Sequence, residues 1–147
     1  MIRSSAAVRS RSVERRVKMS EINSFGLSTI GQIMVTAHDL ERAVAFYRDT
    51  LGVKHLFTVP KMAFFDSGGI NLMLGVPEKE EFDHPSSIIY FNVDDIQAAH
   101  EILAARGVLF EAGPKLIANM ESYDLWMAFF RDSEDNVMAL MSKAPRR

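Results

Sequence analysis

The chain has no cysteine among its 147 residues, which excludes disulfides and thiolate metal sites at once. It has one tryptophan and four histidines, so an imidazole-rich metal centre has little to draw on. No apolar run approaches the roughly 18–20 residues that span a bilayer, so no membrane partner is expected. A net charge of −2 also removes the general electrostatic case for nucleic acid. Apolar residues, by contrast, are plentiful: 48% hydrophobic against 24% charged, with ten Phe and nine Met. That balance fits a globular chain of one ordinary domain, or two small modules sharing a core. Cysteine usage leaves the compartment open; a cytoplasmic protein is the expectation.

Charge is unevenly placed. Arg3, Arg9, Arg11, Arg15, Arg16 and Lys18 stand against Glu14 alone in residues 1–20, a local +5 that leaves about −7 for the rest. This Arg- and Ser-rich, acid-poor stretch has the composition of an organellar presequence. The blander reading is a leader without structure, or an upstream start before Met19. Residues 1–25 are therefore set aside as a basic leader, and residues 26–147 are taken as one domain.

"GQIMVTA" (31–37) alternates and is rich in β-formers, so it predicts a strand. Asp39 follows as a helix N-cap, and Leu40, Ala43, Val44, Tyr47 and Leu51 recur at helical spacing until Gly52 stops the helix. "KHLFTV", "KMAFFD" and "INLMLG" read as three short strands, with a turn at Ser67-Gly68-Gly69. After the acidic connector "PEKEEFDHP" (77–85) the order restarts. "SIIYFNV" (87–93) is a strand, and Asp94 or Asp95 caps a helix with the stripe Ile96, Ala99, Ile102 and Leu103, ending at Gly107. "VLFEA" is a short strand, Gly113–Asp124 an irregular connection, and "LWMAFFR" and "NVMALMS" a hairpin across "DSED". Superimposing Leu40 on Ile96 and one "MAFF" on the other matches every element. The chain thus holds an internal repeat of two βαβββ modules, about 30–77 and 86–143.

The helix D-L-x-R-A-x-x-F-Y-x-x-x-L-G, the second helix start V-D-D-I and the final hairpin D-x-x-x-N, in this order over roughly residues 30–142, resemble the vicinal oxygen chelate superfamily. That group includes glyoxalase I, extradiol dioxygenases, fosfomycin resistance proteins, methylmalonyl-CoA epimerase and bleomycin resistance proteins. The resemblance implies an α+β fold of two βαβββ modules whose curled mixed sheets enclose a shared pocket. It also implies a homodimer and, in metal-using members, four cavity-facing ligands, one from the first and one from the last strand of each module. Carried over by position, these fall on Gln32, Ile88, Ala139 and Leu72, with a one-residue uncertainty that would make the last Asn71 or Met73. Only Gln32 is a donor for a divalent metal, and a lone neutral amide is a poor ligand. No bound metal or other cofactor is expected. His38 reads as a turn residue, His55 as solvent-facing and His100 as helix packing, while His84 lies more than about 10 Å along the chain from Ile88.

Strand alternation then gives the expected pocket. Gln32, Met34 and Thr36 share one face of the first strand, and Ile88, Tyr90 and Asn92 the matching face of the fifth. Leu72 and Leu74, with Val137, Ala139 and Met141, complete the closing strands, and Trp126 joins them from a "MAFF" strand. Whether Phe64 or Phe65, and Phe129 or Phe130, face the pocket is open. Glu121, Tyr123 and Asp124 in the long connection are the expected lid. An apolar, aromatic interior with a few polar groups suits a small-molecule ligand. The first functional reading is a metal-independent binder of a small apolar or aromatic molecule, similar to bleomycin resistance proteins. The alternative is a metal-dependent lyase or isomerase of lactoylglutathione-lyase or epimerase type, which needs a metal and a general base. Metal-free enzymology through Tyr90, Glu121 or Asp124 is neither supported nor excluded.

Overall fold

A computed structural model describes residues 16–146. The elements run α1 (Met19–Ser24), β1 (Gln32–Thr36), α2 (Leu40–Ala45), β2 (Lys54–Val59), β3 (Met62–Ser67), β4 (Ile70–Gly75), β5 (Ile89–Asn92), α3 (Ile96–Ala105), β6 (Leu109–Phe110), β7 (Lys115–Asn119), β8 (Tyr123–Arg131) and β9 (Val137–Pro145). A wide π turn, Phe46–Thr50, prolongs α2.

The two longer helices begin and end for reasons written into the sequence. Asp39 and Asp95 each accept a bond from the backbone N–H three residues on, Arg42 at 3.2 Å and Ala98 at 3.1 Å, satisfying one of the orphan donors of a helix start. Gly52 and Gly107 stop them with φ of 76° and 93°, a left-handed conformation that a side chain resists.

The strands form two mixed sheets, as expected for the α+β class. Sheet 1 has the order β1-β4-β3-β2, and sheet 2 the order β5-β9-β8-β6 with β7 also on β8. In each module the first strand runs parallel to the last, and the remaining pairs are antiparallel. Helix α2 covers β3 and β4, and α3 covers β8 and β9. One continuous core lies on this helix side, built from Val35, Tyr47, Phe65 and Leu74 in the first module and Leu103, Phe130, Met138 and Leu140 in the second.

Three details differ from the sequence expectation. The connection Gly113–Asp124 is not irregular: β7 pairs with β8 from Lys115↔Met127 to Asn119↔Asp124. With β6 it forms an interrupted counterpart of β2, broken where Gly113 and Pro114 intervene. The expected leader contains α1, none of whose residues is buried; the leader's residues 1–15 lie outside the described residues. Finally, the two closing hairpins differ in length. Phe65 pairs with Leu72 but Phe130 with Met138, so the second hairpin carries one more residue than the first. Among the described residues no helix is long and apolar enough to cross a membrane.

Candidate functional site

The face of sheet 1 turned away from α2 begins with Gln32 and Met34. Their partners across the ladder are Asn71 and Met73, while Ile33 and Val35 align with Leu72 and Leu74. Neighbouring residues in register share a face, so the open face carries Asn71 and Met73. Leu72 and Leu74, expected in the pocket, are buried in the helix-side core. Side-chain positions agree: Gln32 Nε2 lies 3.8 Å from Met73 Sδ, and a Cβ placed on Gly75 would meet Met34 Cε at 2.8 Å. Phe57 stacks on Phe64 with centroids 4.7 Å apart, extending the same face across β2 and β3. The open face ends at Thr36, which is buried and donates to the His84 carbonyl at 3.1 Å, so the connector closes this edge.

Sheet 2 presents the matching face. Tyr90 aligns with Ala139 and Asn92 with Met141 on β9, and these in turn with Phe129 and Met127 on β8. Tyr90 and Phe129 meet edge to face, 6.0 Å between centroids. Val137, beside Arg131, and Ile88, just before β5, continue the patch. A cavity of about 270 Å³ opens beside it between β8 and the break separating β6 from β7, lined by Glu111, Lys115, Ile117, Met127 and Phe129. Trp126 does not belong to this face. It alternates with Met127 and packs against the helix-side core.

These faces are open in the single chain and do not enclose a shared pocket. Met34 is 37% exposed, Ile88 and Tyr90 each 42%, and Phe57 52%. The expected lid is also altered. Tyr123 and Asp124 are paired strand residues opposite Pro145 and Ala144, with Asp124 3.0 Å from the Arg146 guanidinium and Lys143 over the Tyr123 ring. Only Glu121 stands in the exposed turn between β7 and β8.

The extra residue in the second hairpin changes one of the four expected ligand positions. Ala139 lies on the open face of β9, and its equivalent on β4 is Met73 instead of Leu72. The four positions thus read Gln32, Met73, Ile88 and Ala139: one carboxamide, one thioether and two aliphatics. Such a set does not fit a hard divalent cation, which wants carboxylates and imidazoles. A carboxylate stranded there without a metal would cost several kcal/mol or take up a proton, and none is present. The histidines are engaged elsewhere. His38 Nε2 is 2.8 Å from Asp83, His55 2.7 Å from the Thr58 hydroxyl, His84 3.0 Å from the Pro85 carbonyl, and His100 packs on Phe110. Among the described residues no three His, Asp or Glu are placed to hold a metal.

The D-x-x-x-N hairpin turn has a structural task that the sequence did not disclose. Asp132 Oδ2 accepts from the Tyr47 hydroxyl at 2.7 Å and from Asn136 Nδ2 at 3.1 Å, while Oδ1 accepts the backbone N–H groups of Glu134 and Asn136. Asn136 also donates to the Thr36 carbonyl and accepts from Ser86 N–H. Glu134 accepts from the backbone N–H groups of His38 and Asp39. One turn of module 2 therefore holds the end of β1, the start of α2 and the connector. Burial first, then the neighbouring Asp132 carboxylate, raise the Tyr47 hydroxyl well above the usual tyrosine value, so it stays protonated and donates.

Asn71, Met73, Phe57, Phe64, Met127 and Phe129 complete the open faces. The sequence reading assigned them no facing, or offered them only as alternatives. Alternation was the available signal, but it needed the hairpin register to be used.

The model of the Glyoxalase/Bleomycin resistance protein/Dioxygenase superfamily matches residues 29–140. A glyoxylase-like domain-containing protein from Didymella fabae is 28% identical over 130 residues, 78% of this chain and 93% of that one. Among solved structures, a superfamily member from Sphaerobacter thermophilus gives a TM-score of 0.67 at 24% identity, covering 80% of this chain and 98% of that chain. A lactoylglutathione lyase from Agrobacterium tumefaciens gives 0.63 at 22%, covering 80% and 95%. At these identities the structures speak for the fold alone.

Proposed function

The chain belongs to the Glyoxalase/Bleomycin resistance protein/Dioxygenase superfamily, and we propose that within it this protein binds a small apolar or aromatic molecule on its open sheet faces without a resident metal. One observation carries the proposal. The four positions where the fold offers metal ligands hold Gln32, Met73, Ile88 and Ala139, and they lie among Met34, Phe57, Phe64, Tyr90, Met127 and Phe129. Thioethers and rings adapt to a flat, polarisable ligand, and each aromatic contact adds about 0.5–1.5 kcal/mol beyond burial. Gln32, Asn71, Tyr90 and Asn92 supply the few polar groups that orient such a ligand.

The exposure of these faces favours a homodimer as the working unit, since a second copy can enclose what one chain leaves open. A cytoplasmic location accords with this reading. The alternative, a metal-dependent lyase or epimerase, has in its favour Gln32 as one retained donor and the fold shared with a lactoylglutathione lyase.

Calorimetric titration of chelator-treated protein with Ni²⁺ and Zn²⁺, with hemithioacetal isomerisation followed in the same samples, separates the two. The binder shows neither stoichiometric metal uptake nor turnover, and either one would overturn it. A thermal-shift screen of aromatic metabolites and antibiotics then finds the ligand class. Installing Ile88→His, Met73→Glu and Ala139→Glu beside Gln32 creates metal affinity, whereas Leu72→Glu in place of Met73→Glu does not.

A further inference from the structure

The open face of sheet 2 carries charge of one sign. Register partners share a face, so Arg131 stands there with Val137, and Lys143 with Leu125. Lys115 joins them from β7, where it lies opposite Met127. Among the paired residues on this face there are three cations and no acid. Glu111 reaches the face from the break after β6, its backbone N–H donating to the Phe129 carbonyl at 3.0 Å.

Two of the three cations are engaged. Arg131 lies 3.4 Å from Glu111 and 3.9 Å from Asp135, and the Lys143 ammonium stands 5.3 Å from the centre of the Tyr123 ring. Lys115 has neither an ion-pair nor a hydrogen-bond partner among the described residues. A free lysine on a surface is ordinary, but this one has particular surroundings. It lines the cavity of about 270 Å³ together with Ile117, Met127 and Phe129, and the one acid of that lining, Glu111, is the acid held by Arg131. A row of register partners runs from Lys115 through Met127 and Met141 to Asn92, so the lysine ends a strip of thioethers. With strands about 4.8 Å apart, the Met141 backbone is roughly 10 Å from that of Lys115, room for two fused rings and a short acidic tail.

From this we infer that the ligand of this face is an aromatic anion, its ring lying on Met127, Met141 and Phe129 and its carboxylate paired with the Lys115 ammonium. Lysine suits that role as a compact charge on a long stem that follows the ligand. Apolar walls strengthen the attraction, because they displace the water that would screen it. A cationic ligand would meet three cations here and no unpaired carboxylate. The preference is local, since the chain as a whole has a net charge of −2 and would repel an anion at long range. This inference rests on the reading of the open faces as a site for an apolar or aromatic molecule and adds the charge that molecule carries.

Calorimetric titration of the full-length protein with 1-naphthylacetate and with the neutral 1-naphthylacetamide, ligands of nearly the same shape, tests this. The acetate should bind at least tenfold tighter than the acetamide. Lys115→Gln should bring the acetate to within about twofold of the acetamide, whereas Lys79→Gln on the connector, the same change in net charge, should keep the full preference. Equal affinities in the wild type, or a preference that persists in Lys115→Gln, would overturn the anionic ligand alone and leave the apolar site standing. Binding of neither compound at millimolar concentration would overturn the site and the anion together. So would an acetate preference that EDTA abolishes, since the carboxylate would then be held by a metal.

Discussion

Each module contains Met-Ala-Phe-Phe, and in both the two phenylalanines face opposite ways. Phe65 and Phe130 are buried in the helix-side core. Phe64 stacks on Phe57 and Phe129 meets Tyr90, both on open faces. The same four letters thus serve folding with one ring and surface chemistry with the next, because a strand alternates its side chains at every residue. The two sides differ in how they treat polar groups as well. On the helix side, Tyr47, Asp132 and Asn136 satisfy one another and staple the modules together. On the open side, the Gln32 carboxamide has, among the described residues, the Met73 sulfur as its one hydrogen-bond partner.

The largest test of this contrast is alanine at each ring. Phe65→Ala or Phe130→Ala should cost about 3–5 kcal/mol of unfolding free energy. Phe64→Ala or Phe129→Ala should cost about 1 kcal/mol or less and instead weaken ligand binding. Denaturant titration reads the first and ligand titration the second; equal stability losses within a pair would break the contrast.

Next is the staple. Tyr47→Phe leaves a buried carboxylate short of a donor and should cost about 1–3 kcal/mol. The folded-state value of Tyr47 lies above the ordinary tyrosine value of about 10. Between the two values the unfolded chain releases a proton that the folded chain keeps. Its stabilisation is therefore complete below about pH 10 and is lost as pH rises above it. Tyr47→Phe should flatten that part of the stability–pH curve, and an unchanged alkaline slope would contradict the assignment.

Trp126 and Tyr90 sharpen the contrast at smaller scale. Trp126→Ala should lower stability and leave binding unchanged except through folding. Tyr90→Ala should weaken an aromatic ligand about tenfold, roughly 1.4 kcal/mol, at little cost in stability. Smallest is Gly75→Ala, whose methyl must displace the flexible Met34 tip. It should shift ligand affinity a few-fold and the melting temperature by only a degree or two.

Much of this was legible in the sequence. Helix stripes, the cap Asp39, a second cap at Asp94 or Asp95, and the stops Gly52 and Gly107 gave the order of the elements and the fold class, because each is a local signal. What failed depended on pairing. The closing hairpins differ by a single residue, and a one-residue slip exchanges the faces of a strand, which is why Leu72 was placed where Met73 stands. β7 was missed because Gly113 and Pro114 read as breakers, whereas its strand form comes from the β8 edge beside it. Trp126 was set in the pocket while the facing of its strand was still open; with Phe130 buried, alternation puts Trp126 on the core side with it. The tasks of Asp132 and Asn136 lie in contacts with Tyr47 and Thr36, about 85 and 100 residues away, which no local pattern shows.

The most direct measurement is the dissociation constant of anilinonaphthalene sulfonate, an aromatic probe that fluoresces on apolar surfaces, with and without EDTA. The account predicts saturable binding, unchanged by chelator and at least tenfold weaker in the combined Phe64→Ala and Tyr90→Ala protein, while Trp126→Ala binds as wild type. Binding that vanishes with EDTA, or that survives in the double variant, would contradict it.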